Sequence, residues 1–186
     1  MSSHTETTTH ARHKRRIVLT GFMCVGKTTV ARALAASLNC ASLDTDEAIV
    51  ARARRSIASI IEEDGEARFR QIETGVLRVC LENRDARIIA LGGGTWTLAE
   101  NRALVAAHDC LTVWLDAPFD LCWQRIANTR DTPDARPLAR DRDHALALYT
   151  ARRDLYGLAQ RRVEMGEGRS AEDMAAEIVS IIEREN

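Results

Sequence analysis

The chain has 186 residues, which suits one domain with at most a small insertion, and its charge is nearly balanced, with 26 Lys and Arg against 27 Asp and Glu for a net charge of −1. That balance argues against nucleic acid or an acidic membrane surface as the main partner. Five scattered cysteines make no C-x-x-C pair and five histidines share no ligand spacing, so a disulfide framework and a zinc site are disfavoured and a reducing cytoplasm is expected.

Residues 1–15 are rich in Thr, His and Ser, offer little to bury and hold no signal-peptide core, so they read as a disordered polar and basic tail before a single domain over 16–186. No later apolar run is long enough to span a membrane. The apolar run Ile17–Thr20 predicts a first strand, and Val30, Leu34 and Leu38 at i, i+4 and i+8 predict a helix over 27–38. A brief strand ending in Asp44-Thr45-Asp46 follows, then helical pieces bearing Ile49, Ile57, Ile60 and Ile61, with Ser56 as a cap between them. Gly65 breaks that pattern, and 66–81 predicts a longer helix with Phe69, Ile72, Val76 and Leu77 facing inward.

Residues 87–91 form a buried strand that runs into Gly92-Gly93-Gly94; Ala99–Ala107 is helical, and 111–115 is the next strand. Pro118 opens a helix to about Ala127, in the first-turn position proline tolerates. Residues 128–140, with Pro133, Pro137 and many charges, read as a mobile loop. A helix over 144–158 and a short edge strand over 162–165 come next, and Ser170-x-x-Asp173 caps a last helix bearing Met174, Ile178, Ile181 and Ile182. Strands alternating with helices imply an α/β fold whose parallel sheet is covered on both faces.

The stretch Gly21-Phe22-Met23-Cys24-Val25-Gly26-Lys27-Thr28-Thr29 fits G-x-x-x-x-G-K-[ST] without mismatch and stands between the first strand and helix. Backbone N–H groups at such a loop and helix N-terminus carry partial positive charge and cradle polyphosphate. Cys24, Val25, Gly26, Lys27, Thr28 and Thr29 are therefore candidate nucleotide-binding residues. Lys27 would reach the terminal phosphates as a point charge, and the Thr28 hydroxyl would complete a Mg²⁺ shell shared with phosphate oxygens and water.

Ligands of an open parallel sheet bind beyond the carboxyl ends of its strands, where this loop, Asp44 with Asp46, and the triple glycine should converge. Two carboxylates on one side of an extended segment can serve Mg²⁺ and an acceptor hydroxyl. The same residues also suit a turn and helix cap. The glycines let backbone approach a ligand closely, and Arg70 is a helical arginine able to grip a carboxylate in bidentate fashion. Arg130, Arg136 and Arg140 would ride a lid onto a triphosphate, or else belong to a solvated charged loop. The carboxylate for the metal stays open among Asp44, Asp46 and Asp116.

Taken in order, Asp44-Thr45-Asp46, Gly65-Glu66-x-x-Phe69-Arg70-x-x-Glu73, Gly92-Gly93-Gly94, Arg136-Pro137-Leu138 and Arg152-x-x-x-Tyr156 resemble shikimate kinase from Ile17 to about Ala159. The resemblance implies a three-layer αβα P-loop kinase fold with a five-stranded parallel sheet, a substrate-binding helical insertion over about 44–81 and a mobile lid over about 128–142. It implies transfer of phosphate from ATP, with Mg²⁺, to the 3-hydroxyl of shikimate in aromatic amino-acid biosynthesis, by a cytoplasmic monomer. By position, it assigns Thr28 and Asp44 to the metal, and Asp46 to the shikimate hydroxyls as base or orienter. It gives Arg70 and Arg152 to the shikimate carboxylate, and Gly93 to the ring. Lys27 and the lid residue Arg136 would supply catalytic charge at the phosphates, and Arg130 is a looser match to the family's adenine-stacking arginine.

Two departures stand out. Cys24 occupies a loop position where the family usually has glycine; beside a helix N-terminus and Lys27, its thiol is a candidate for reaction with electrophiles. Ala139 replaces the more usual second leucine of the lid. The rival readings are a same-fold kinase for another small hydroxy acid such as gluconate, and a catalytically weak nucleotide-binding regulator.

Overall fold

The computed structural model describes residues 15–128, 141–166 and 168–185. Five strands form one parallel sheet: β1 (Ile17–Thr20), β2 (Ser42–Asp44), β3 (Ile88–Ala90), β4 (Leu111–Asp116) and β5 (Arg161–Glu164), in the order β2-β3-β1-β4-β5. β1 is central and wholly buried, with Ile17 aligned to Ile88 on one side and to Leu111 on the other. Its continuous apolar run is what burial on both faces requires. β2 and β5 are the edge strands, and only Val163 of the four residues of β5 is buried.

Among the described residues eight helices accompany the sheet: α1 (Lys27–Ser37), α2 (Thr45–Ala53), α3 (Ile57–Asp64), α4 (Glu66–Glu82), α5 (Ala99–Ala107), α6 (Phe119–Ala127), α7 (Arg142–Tyr156) and α8 (Ala171–Arg184), with a 3₁₀ turn at Thr95–Thr97. α1 packs against α8. Helices α2 to α4, between β2 and β3, hold a second, smaller core of Ile49, Ile60, Phe69 and Val76. α4 joins the two cores, because its Leu77 and Leu81 enter the main one.

Local chemistry accounts for the helix boundaries. Ser56 accepts from the Ser59 amide to start α3, Gly65 at φ 83° turns the chain into α4, and Ser170 with Asp173 closes a capping box on α8. Two local expectations need correction. Pro118 is the cap residue before α6 and not within its first turn. Asp44-Thr45-Asp46 is not an extended segment: Asp44 ends β2 and caps α2, accepting from the Asp46 and Glu47 amides at 2.8 and 3.3 Å, so Asp46 lies in the first helical turn. The helix wins because it satisfies two amides that an extended chain would leave without partners.

The five cysteines are free; Cys110 and Cys122 are buried, and Cys24, Cys40 and Cys80 are half-buried. Among the described residues no helix is long and apolar enough to cross a membrane. All but the last residue of the expected tail over 1–15, and most of the lid, 129–140, lie outside the described residues.

Candidate active site

The loop between β1 and α1 is shaped by backbone that side chains rarely tolerate. Gly21 has φ 137°, and a methyl group there would collide with the Leu115 carbonyl; Gly26, at φ 105°, is the residue before α1. Cys24 takes φ 58°, the left-handed region that glycine enters without cost. The departure noted in the sequence at Cys24 thus coincides with a backbone conformation that favours glycine.

Lys27 begins α1, is 8% exposed, and donates from Nζ to the Gly21 and Phe22 carbonyls at 3.0 and 2.9 Å. Burial lowers its pKa from the ordinary lysine value, against the opposing pull of Asp46 and Asp44. The Thr28 hydroxyl hydrogen-bonds to Asp44 Oδ2.

Loop, carboxylates and glycines enclose one cavity of about 560 Å³. Cys24, Gly26, Lys27, Thr28, Thr29, Asp44, Asp46, Arg70, Gly93 and Arg152 all line it. Val25 does not: its side chain is wholly buried in the main core, and its carbonyl accepts from Arg125 at 3.0 Å. Arg130 and Arg136 lie outside the described residues.

The triple glycine is a matter of space. A methyl group on Gly94 would overlap the Arg70 guanidinium, one on Gly92 would strike Asp46 Oδ1, and one on Gly93 would sit 3.1 Å from the Met23 amide nitrogen. Charged side chains from α2 and α4 thus lie directly on bare backbone.

Arg70 is held by Glu73 at 2.7 Å and Glu66 at 3.0 Å. Burial works against its charge, but both carboxylates outweigh that and raise its pKa above the ordinary arginine value. Glu73 is 1% exposed, and its second oxygen accepts from Thr95 Oγ1 at 2.7 Å.

Asp116 is answered differently. Its carboxylate is 6% exposed and gripped by Arg153 at 2.8 Å and Arg162 at 2.6 Å, while both arginines stack over Trp114. It does not line the cavity, whereas Asp46 and Asp44, the latter bonded to Thr28, both do.

Glu73 was named in the sequence only as part of a motif, without a role, and Arg125 and Arg169 were not singled out. Glu73 sits three residues after Arg70, a helical pairing distance that was a usable signal. Arg125, on α6, donates to the Cys24 and Val25 carbonyls at 3.2 and 3.0 Å and lines the cavity; Arg169 lines it from the start of α8. Neither had a local signal.

An anion-cradling loop at the carboxyl edge of such a sheet, facing a pocket that carries both acids and arginines, defines a P-loop kinase of small molecules. A family model described as shikimate kinase matches residues 23–183. Shikimate kinases from Cereibacter sphaeroides and Nostoc punctiforme are 38% and 39% identical to the chain, over 90% and 89% of it and 82% and 90% of their own lengths. A structure of shikimate kinase from Acinetobacter baumannii in complex with shikimate superposes with a TM-score of 0.85 at 32% identity, covering 96% of this chain and 98% of that one. The chain belongs to the shikimate kinase family and is a kinase. A gluconokinase structure from Sinorhizobium meliloti, with a TM-score of 0.62 at 15% identity and coverage of 93% and 94%, shares the fold alone.

Proposed function

We propose that the chain transfers the γ-phosphoryl group of ATP to the 3-hydroxyl of shikimate, with Mg²⁺. The observation that carries this reading is the meeting of Asp46, Arg70 and Arg152 with Lys27 in one cavity. An acid that can orient a hydroxyl and two arginines suited to a carboxylate match a hydroxy acid, and the loop lysine matches a polyphosphate.

Phosphoryl transfer through a loose transition state asks for alignment and charge more than covalent chemistry. Lys27 neutralises charge on the phosphates, with Arg136 joining it from the lid over about 128–142. Asp46 orients or deprotonates the acceptor hydroxyl. Arg70, stiffened by Glu73, and Arg152 hold the carboxylate, while Gly93 backs the ring, within a substrate region over about 44–81. Beyond the P-loop, Arg125 and Arg169 line the cavity and offer planar cations suited to the nucleotide base, alongside Arg130.

Thr28 and Asp44 fit Mg²⁺, because a hydroxyl and a carboxylate oxygen already in contact are the hard donors it takes alongside phosphate and water. When bound, the ion neutralises phosphate charge. Five free cysteines accord with the cytoplasm, and the chain is taken to act as a monomer.

ADP release from MgATP, measured with and without shikimate on wild type and Asp46→Asn, tests the reading. Shikimate-stimulated turnover that the variant loses is the expected result. Equal turnover with gluconate, or ATP binding without any acceptor response, would move the assignment to one of the rivals.

A further inference from the structure

The glycine loop is held from behind by the helix that carries Arg152. Tyr156, one turn further along α7, is 2% exposed, and its phenol donates to the Gly93 carbonyl. Arg152 Nη1 reaches the same oxygen at 3.5 Å. A peptide unit is planar and trans, so the Gly93 C=O and the Gly94 N–H point in opposite directions, and fixing one fixes the other. Among the described residues, neither the Gly93 nor the Gly94 N–H donates to a protein acceptor, and both residues line the cavity. The loop thus has one bound carbonyl and, in two residues that line the cavity, N–H groups that no described protein acceptor uses.

We propose that Tyr156 is a positioning residue for the acceptor: its hydroxyl holds the Gly93–Gly94 peptide in the orientation that offers the loop's N–H groups to oxygens of shikimate. This rests on the reading that shikimate occupies the cavity beside Asp46 and Arg70. Burial pushes the phenol up to about 12, with Arg152 pulling the other way, so the hydroxyl keeps its proton and remains a donor at working pH. Lys27 holds the nucleotide side through the Gly21 and Phe22 carbonyls, bonds that Tyr156 does not share, so losing its hydroxyl should fall chiefly on the acceptor.

Tyr156→Phe tests this, since it keeps the ring that packs near Trp114 at 6.3 Å and removes only the donor. The KM for shikimate should rise about five- to tenfold, the range of one buried hydrogen bond. The KM for ATP should change less than about twofold, well under the cost of one such bond. Trp96→Phe is the control: it removes a neighbouring buried bond, from Trp96 Nε1 to the Leu155 carbonyl at 2.9 Å, that does not touch Gly93. An unchanged shikimate KM in Tyr156→Phe overturns the proposal. So does a rise shared equally by ATP, or one that Trp96→Phe reproduces, since either marks general loosening of the fold. If wild type itself shows no shikimate turnover, the underlying reading fails first and takes this inference with it.

Discussion

The Thr28 hydroxyl and Asp44 Oδ2 hydrogen-bond directly, joining the first turn of α1 to the end of β2 across sixteen residues of sequence. The same carboxylate uses its other oxygen to cap α2. Asp44 therefore has two separable duties. Asp44→Ala should destabilise the protein by about 1 kcal/mol through the lost cap. Asp44→Asn keeps a capping oxygen, so its melting temperature should stay near wild type while more Mg²⁺ is needed for half-maximal ADP release. Asp116→Asn should behave in the opposite way, with a lower melting temperature and an unchanged Mg²⁺ requirement, because Asp116 holds Arg153 and Arg162 away from the cavity. A magnesium titration that moves with Asp116 and not with Asp44 would refute the assignment.

Glu73 orders Arg70 from a site with almost no solvent. Removing one partner of such a pair leaves the other charge without compensation, and Glu73→Ala should cost about 3 kcal/mol of stability. Glu73→Gln retains the shape and a hydrogen-bond acceptor for Thr95 or Arg70, so most of that stability should survive. Its signature should be a raised KM for shikimate with the KM for ATP unmoved. Denaturant melts and initial rates on the two variants separate these effects; equal loss of affinity for both substrates would show that Glu73 only supports the fold.

How far the site was legible in sequence follows from how local each part is. The P-loop is nine consecutive residues whose function resides in their own backbone, so Gly21 to Thr29 could be read directly. The strand and helix order was legible for a similar reason, since a buried parallel strand such as Ile17–Thr20 must be apolar throughout. Arg125 was not legible. Its partners, Cys24 and Val25, lie about a hundred residues earlier, and nothing on α6 distinguishes it from a solvated arginine. Asp116 could not be told from Asp44 by pattern, because each ends a strand; only the third dimension supplies the two arginines that occupy one and the threonine beside the other.

Lys27 gives the site a pH dependence of definite sign. Burial, the largest influence, lowers its pKa, and the carboxylates of Asp46 and Asp44 oppose this without cancelling it. The charged form is the one that holds phosphate, so activity should fall as pH rises through the lowered value. In kcat/KM for ATP, which reports the free enzyme, the alkaline limb should lie below the ordinary lysine range. In kcat it should move upward, because bound phosphates favour the charge. Asp44→Asn removes one opposing carboxylate and should push the kcat/KM limb lower still. Identical limbs in both profiles would rule Lys27 out as their source.

Cys24 holds φ 58° in the phosphate loop, where an L side chain costs about 1 kcal/mol or slightly more. Cys24→Gly removes that cost but gives the unfolded chain more freedom, so the net gain in stability should be no more than about 0.5–1 kcal/mol. The KM for ATP should fall, as a side chain is withdrawn from the cavity wall. Cys24 lines that cavity, and burial raises the pKa of Cys40, Cys80 and Cys110, and pushes Cys122 up to about 11. Since the thiolate is the reactive form, those four should alkylate slowly at neutral pH. Iodoacetamide should label Cys24 first and abolish ATP turnover, MgATP should protect it, and Cys24→Gly should resist inactivation. Mass mapping that finds the other cysteines modified with Cys24 untouched would show that the loop thiol is shielded.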